Sequence, residues 1–392
     1  MRCSTPSPEE AVFLLKKAQE TSLQTKRVFS RFSLDISENS EKKKKMGKNN
    51  SVDDCTNILE ELNAEMVDIY FPVIIFLGIT MTFGGIGNCI VAYVYYHRFE
   101  ITSTQVFVVA LAVNDLLTCI ICIPIELVIL HFSYTFHSDI ACRLMRYTVS
   151  AAIVNSAFIT CIISVDRYIR VCRSLEYQIS VEKSKKIVAL IIITSAIATS
   201  LIPFVFFKNK RMAKHCGNIG EVCSLSESSD FVFGYYIFLT SGACSVFLTL
   251  VIIYLLIGIR IWKIYKAKKN IVYKLCISSV ISKGLYTNTF LQTSPTKKKR
   301  KPMHPVRTNL VLFTISLIWI ISYVPHFAAI FFRLFIKAFN ENASHTEKVL
   351  YKGLLCSFYL SCALNPCIYG LFSQKFRFQL NNAFRKVIHS DH

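Results

Sequence analysis

Seven apolar stretches, each of at least about 20 residues, recur along the chain: 70–96, 104–131, 142–167, 187–207, 232–260, 307–333 and 349–371. That is the length a helix needs to cross the hydrocarbon core of a bilayer. The ten-residue alternation of a membrane strand does not repeat, so the pattern predicts an all-α membrane protein, a seven-transmembrane helix bundle over residues 70–371. The stretches are interrupted by polar side chains: Asn114 and Asp115 in the second, Asn155 and Ser156 in the third, Asn365 in the seventh. Polar groups without partners are not tolerated against lipid, so these must face the bundle interior. Beyond the seventh stretch, Phe376, Leu380, Ala383, Phe384 and Val387 fall on one helical face among Lys375, Arg377, Arg385 and Lys386. Residues 372–392 are therefore read as a short amphipathic eighth helix on the membrane surface, followed by a brief tail.

Composition agrees with the pattern. Of 392 residues, 53 % are hydrophobic and 18 % charged, too little polar surface to cover a soluble globule of this size. The net charge of +20 is concentrated: residues 260–305 carry twelve Lys and Arg and no Asp or Glu. By the positive-inside rule the loop 261–305 is cytoplasmic, as are Arg170, Arg173, Lys183, Lys185 and Lys186. Seven crossings then place residues 1–69 outside the cell and the tail inside, in the plasma membrane. Glycosylation acceptors Asn49 and Asn342 fall on the outer side. The charge calls for anionic membrane lipids at the inner leaflet rather than nucleic acid, and TKKKRKP at 296–302 is read in that way too. Residues 1–45 are polar, lack a signal-peptide core and include Lys42–Lys45; translation is expected to begin at Met46, with 1–45 an extension ahead of the true start.

Most of the 15 cysteines lie within the apolar stretches as small packing residues, Cys119 and Cys122 among them. Cys142, Cys216 and Cys223 differ in facing an oxidising compartment. A bridge from Cys142 to either Cys223 or Cys216 pins the loop before the fifth stretch over the bundle mouth, and Cys55 is a partner for the cysteine left over.

From about residue 66 to 388 the chain resembles the rhodopsin-like (class A) G protein-coupled receptors. The resemblance is carried by Gly87-Asn88, Leu111-Ala112-x-x-Asp115-Leu116, Cys142, Asp166-Arg167-Tyr168, Pro325 and Asn365-Pro366-x-x-Tyr369, in order and on the appropriate sides of seven helices. It implies a receptor for an extracellular ligand that activates heterotrimeric G proteins, with arrestin and a receptor kinase as further partners, and no enzymatic activity. Arg167, neutralised by Asp166, is the expected switch, released on activation to meet Tyr254, Tyr369 and a G protein tail. Asp115, Asn88, Ser156 and Asn365 are implied as a sodium site; a water-filled polar cluster is the alternative, since Ser361 replaces the family's usual asparagine. No other cofactor is expected.

Departures from the family are informative. Helix 6 reads Trp319, Ser322, Tyr323, Val324, Pro325, so Tyr323 is the ring expected beneath the ligand. The helix 4 tryptophan and helix 5 proline are missing, and Pro305 and Arg307 stand where an acid would hold Arg167, so signalling above background without ligand is expected. The amine-receptor aspartate is Val149 and the retinal lysine is Tyr359, which disfavours both subclasses. Glu126, Arg146, Arg333 and Lys337 offer charges of both signs at the outer third, with Lys208, Lys210, Arg211 and Lys214 in the nearby loop. Those charges suit a neuropeptide or peptide hormone; an acidic lipid at Arg146 is the alternative. A transporter or channel would need broken helices, inverted repeats or a continuous polar stripe, and none is seen. HExxH, GxSxG and phosphate-binding glycine loops are absent as well.

Overall fold

The computed structural model describes residues 51–173, 177–202, 206–212, 219–225, 230–285, 305–335 and 344–390. Helix α1, Ser51–Ile69, meets α2, Phe71–Arg98, at Tyr70; Pro72 stands in the first turn of α2, where its missing N–H is not needed. Helix α3, Ser103–His131, contains one π turn over Thr118–Cys122. Pro124 explains it, because a ring without an N–H displaces the hydrogen-bond ladder of the preceding turn. Ser138 caps α4, Asp139–Cys172, and Ser180 caps α5, Val181–Thr199, each accepting a backbone N–H three residues on. Helix α6, Asp230–Leu285, is 56 residues long, and α7, Pro305–Phe335, carries Pro325 inside it. The last three helices are α8, His345–Cys356, α9, Tyr359–Phe372, and α10, Gln374–Ser390.

Five of these elements are long and apolar enough to cross a membrane: α2, α3, α4, Ile237–Ala267 of α6 and Leu310–Phe332 of α7. Helices α8 and α9, taken as one element bent by 53°, are long and apolar enough for a sixth. The break is stabilised by α7: His326 Nδ1 lies 2.6 Å from the Leu355 carbonyl, and Ser357 Oγ donates to the Ser322 carbonyl at 2.8 Å. Groups released from the helix ladder are thereby satisfied without water. Helix α5 does not reach that apolar length. Its 19 residues open on Glu182, Lys183, Lys185 and Lys186, so its apolar part is short.

Three boundaries differ from the sequence reading. The fourth stretch, expected over 187–207, is helical from Val181 to Thr199, where the hydroxyls of Thr199 and Ser200 turn back onto the carbonyls of Ser195 and Ile197. The chain enters a strand by Phe206. The expected loop 261–305 begins as a continuation of α6 to Leu285. Residues 51–69, read as part of a polar outer segment, are helical, and α1 buries Met66 and Val67. Ile58, Leu59, Leu62, Met66 and Val67 share one helical face, a signal present in the sequence.

Two large apolar cores lie among the described residues of the bundle. One, toward the Cys142 end, gathers Val149, Leu250, Trp319, Tyr323, Phe358 and Tyr359; the other, toward the Arg167 end, gathers Phe107, Leu111, Ile159, Ile163, Ile315 and Tyr369. Helix α10 joins the second core through Phe376, which stacks on Tyr95 at 5.9 Å. Helices α2 and α9 approach closely because α2 offers no side chain: a Cβ at Gly87 would lie 2.6 Å from Pro366.

At the Cys142 end, β1, Phe206–Met212, and β2, Ile219–Leu225, form an antiparallel hairpin pairing Lys208 with Cys223 and Lys210 with Glu221. Residues 134–136 extend along its edge, the Glu221 N–H donating to the Tyr134 carbonyl at 2.7 Å and the Phe136 N–H to the Glu221 carbonyl at 2.9 Å. Asn63 of α1 grips the same segment from above, accepting the Tyr134 N–H and donating to Thr135 Oγ1, both at 2.7 Å. Helix α1, this loop and the hairpin thus form one connected rim.

Candidate functional site

The Asp166-Arg167-Tyr168 triplet lies near the end of α4, where its two charged members are buried and Tyr168 half-buried. Arg167 Nη2 lies 2.5 Å from Asp166 Oδ2 and also donates to Thr104 Oγ1. Asp166 is held from the first turn of α3, accepting Ser103 Oγ at 2.6 Å and Thr104 Oγ1 at 2.8 Å, and from its own helix by Arg170 Nε at 3.1 Å. A buried carboxylate is tolerable only with such partners. Ser103 and Thr104 escaped the sequence reading, since a hydroxyl at a helix start reads first as a cap.

Neither tyrosine expected to meet Arg167 does so here. The Tyr254 hydroxyl accepts from Ser164 Oγ at 3.0 Å and lies 2.8 Å from Ser316 Oγ and 3.1 Å from the Leu312 carbonyl. Ser164 and Ser316 are themselves 3.2 Å apart, so a neutral hydrogen-bond ring joins α4, α6 and α7. Tyr369 is buried with its ring edge-on to Tyr95 at 5.3 Å. Above the ring, Trp319 and Tyr323 stack at 4.4 Å one turn before Pro325.

Asp115 is fully buried between α3 and α9. Asn365 Nδ2 donates to its Oδ2 at 2.7 Å, and the Cys362 thiol lies 3.6 Å from its Oδ1. Asn88 Nδ2 donates to the carbonyls of Gly84 and Cys362, at 2.9 and 2.7 Å. That leaves Asn88 Oδ1 and Asn365 Oδ1 buried without partners. One carboxylate with two orphaned amide oxygens is a set a hard monovalent cation fits, so Asp115, Asn88 and Asn365 are the groups that would hold a sodium ion if one binds. Ser156 is buried within hydrogen-bonding reach of the Tyr323 hydroxyl. Ser361 Oγ turns back to the Phe358 carbonyl.

At the Cys142 end, Glu126 of α3 is buried beneath two cations, with Arg146 Nη1 of α4 at 3.2 Å and Lys352 Nζ of α8 at 2.5 Å. The sequence reading named Glu126 and Arg146 and missed Lys352, although a lysine in the apolar run VLYKGLLC demands a partner. Val149, Tyr323 and Tyr359 belong to the packed core below; the Tyr359 hydroxyl donates to the Cys122 carbonyl at 3.2 Å. Arg333 lies in the last turns of α7 with its side chain outside the described set, and Lys337, Asn49 and Asn342 lie outside the described residues. Cys142 pairs with Cys223 at a Cα–Cα distance of 5.5 Å, tying the hairpin to α4; Cys216 lies outside the described residues.

Residues 87–369 match the family described as 7 transmembrane receptor (rhodopsin family). The chain is similar to the neuromedin-U receptor 2 of Rattus norvegicus, 22 % identical over 330 residues that cover 82 % of this chain and 76 % of the relative. It is 23 % identical to the cholecystokinin receptor type A of Homo sapiens over 313 residues, 70 % of this chain and 71 % of that one. It is also 28 % identical to the cannabinoid receptor type 1B of Takifugu rubripes over 328 residues, 81 % and 63 % of the two chains.

Proposed function

Since the chain belongs to the rhodopsin family, class A of the G protein-coupled receptors and not a family of enzymes, we propose that it binds an extracellular peptide and activates a heterotrimeric G protein. On this reading the hairpin end faces outside and the Arg167 end faces the cytoplasm of a plasma-membrane receptor. The basic run from 260 to 305 and the amphipathic α10 then both meet the inner leaflet. Residues 1–69 are the outer segment, 70–371 the bundle and 372–392 the inner tail.

The coupling half rests on one observation, the burial of Arg167 against Asp166 and Thr104 while Tyr254 is held elsewhere. That is a closed switch. An outer ligand that binds the open arrangement better shifts the population toward it. Opening requires α7 to swing about Pro325, Asn365 to leave Asp115, the Tyr254 ring of hydroxyls to part, and Arg167 to exchange Asp166 for the G protein. Asp115, Asn88 and Asn365 would hold a sodium ion if one binds, and its charge would favour the closed form.

The peptide half is supported by relatives named for neuromedin-U and cholecystokinin, and by a packed floor. With Val149, Tyr323 and Tyr359 in the core, a ligand rests on the broad rim of α1, hairpin and ion cluster, which suits an extended chain. Cells expressing the receptor, challenged with pooled neuropeptides, are expected to show G protein activation that is lost in Arg167→Ala. Silence from every pool at normal surface expression contradicts the peptide reading. The partly exposed Arg146 of the outer third favours a second reading, an acidic lipid held there, and fatty acids in the same assay test it.

The hydroxyl ring carries its own expectation. Ser316→Ala removes one hydrogen-bonding group from the α6–α7 link, a loss of about 0.5–1.5 kcal/mol to the closed form. Ligand-independent nucleotide exchange in membranes should rise about three-fold. An unchanged basal rate would show that the ring does not hold the switch.

A further inference from the structure

We propose that Arg98 and Lys375 form a site for the headgroup phosphate of an anionic lipid of the inner leaflet, where the end of α2 meets the start of α10. This rests on the membrane orientation of the receptor reading and adds one bound molecule, a phospholipid with a phosphate monoester. Arg98 closes α2, and Lys375 stands in the first turn of α10. Phe99, the residue after Arg98, lies beneath Lys375, whose ammonium is 4.9 Å from the centre of the ring. Phe99 stacks on Tyr95 at 4.3 Å and Tyr95 stacks on Phe376 at 5.9 Å, so packed rings fix the two helix ends to one another.

Arg98 is half-buried, and its Nε is shut off from solvent without a hydrogen-bond partner. A cation at a helix C-terminus is favoured by the helix dipole, but the dipole does not account for a dehydrated donor left unmatched. Lys375 is exposed, and a ring face attracts its charge without matching its hydrogen bonds. Glu100 is exposed two residues beyond Arg98, and among the described residues it pairs with neither cation. Arg377, a third cation at this corner, is engaged by the carbonyls of Gly370 and Leu371, at 3.2 and 2.5 Å. A guanidinium fork and an ammonium together match a phosphate monoester, which carries a charge of about −1.5 to −2 at neutral pH. The surroundings favour a lipid over a free phosphate. Ile101, Leu371, Phe372 and Phe378, on the segments that join α2, α9 and α10, are between 47 and 69 % exposed. In a bilayer such side chains enter the acyl region while neighbouring cations stay with the headgroups.

The test is thermal unfolding of the purified full-length receptor in detergent with dioctanoyl phosphatidic acid, beside dioctanoyl phosphatidylcholine and glycerol 3-phosphate at the same millimolar concentration. Phosphatidic acid is expected to raise the unfolding temperature by about 3 °C, and the zwitterionic lipid and the chain-free phosphate to leave it unmoved. Lys375→Gln, a change at an exposed position, should cut that shift by about half or more, and Arg98→Gln combined with it should abolish the shift. Lys298→Gln with Lys299→Gln removes two cations from the basic loop and should leave the shift whole. An equal shift from either control, no shift from phosphatidic acid, a shift that survives the loss of Arg98 and Lys375, or one lost equally with Lys298 and Lys299 each overturn the proposal. Nucleotide exchange catalysed by the same wild-type preparation separates the two readings. Exchange without a selective shift removes only the lipid site, whereas a selective shift without exchange supports the lipid site and removes the coupling reading.

Discussion

Asp166→Asn should raise ligand-independent G protein activation about ten-fold. The substitution keeps the shape of the side chain and one of the two oxygens that accept from Ser103 and Thr104, but deletes the charge that lies 2.5 Å from Arg167 Nη2. Breaking a fully buried pair costs about 3–5 kcal/mol. Arg167 stands at the mouth of the bundle, with Thr104 as a second partner, and the opened form regains water, so about 1.5 kcal/mol is the share expected to shift the closed–open equilibrium. The same change lowers the stability of the closed bundle, since an arginine is left in a site built for an ion pair. Basal exchange measured per receptor at the surface reads the shift. A rate equal to or below wild type would mean that Asp166 does not restrain Arg167.

The second large effect concerns the Cys142–Cys223 bridge, which closes a loop of 81 residues and holds the hairpin on α4. Removing such a bridge costs about 2–5 kcal/mol. Cys223→Ser should therefore lower the unfolding temperature of the solubilised receptor by about 5–10 °C and reduce its surface level several-fold. Cys142→Ser should do the same, and the double variant should be no worse than either single one, because both act on one bond. Cys216→Ser should be mild. If Cys216→Ser proves as damaging as Cys223→Ser, or the two losses at 142 and 223 add, the pairing is wrong.

Much of this was written in the order of residues. Apolar length marks the spans, and Asp115, Asp166 and Arg167 stand out because charge inside a membrane must be explained. What stayed hidden depends on neighbours far away in sequence. Glu126 and Lys352 are 226 positions apart, so nothing local announces that they meet. Ser103 and Thr104 are ordinary until α3 brings them to Asp166, more than 60 positions on. Cys216 and Cys223 share one loop and could be separated only by the hairpin register, which sets Cys223 opposite Lys208. The boundaries of α5 and α6 were obscured because charged turns and helical extensions past the membrane leave the apolar pattern without ending the helix. In the same way α1, docked on the rim rather than spanning, was masked by its acidic face.

The absence of an acid at the start of α7 and the presence of the Tyr254–Ser316–Ser164 ring point the same way, to an α7 held in the closed form by neutral bonds rather than by an ion pair of its own to Arg167, and to a switch that leaks at rest. Neutral hydrogen bonds contribute about 1 kcal/mol each, less than a buried ion pair. The most direct measurement is nucleotide exchange on a purified heterotrimeric G protein by the receptor in lipid discs, without ligand, beside Arg167→Ala. The account predicts exchange above the receptor-free rate that disappears in Arg167→Ala. Exchange at the receptor-free rate, or exchange that persists when Arg167 is removed, would contradict it.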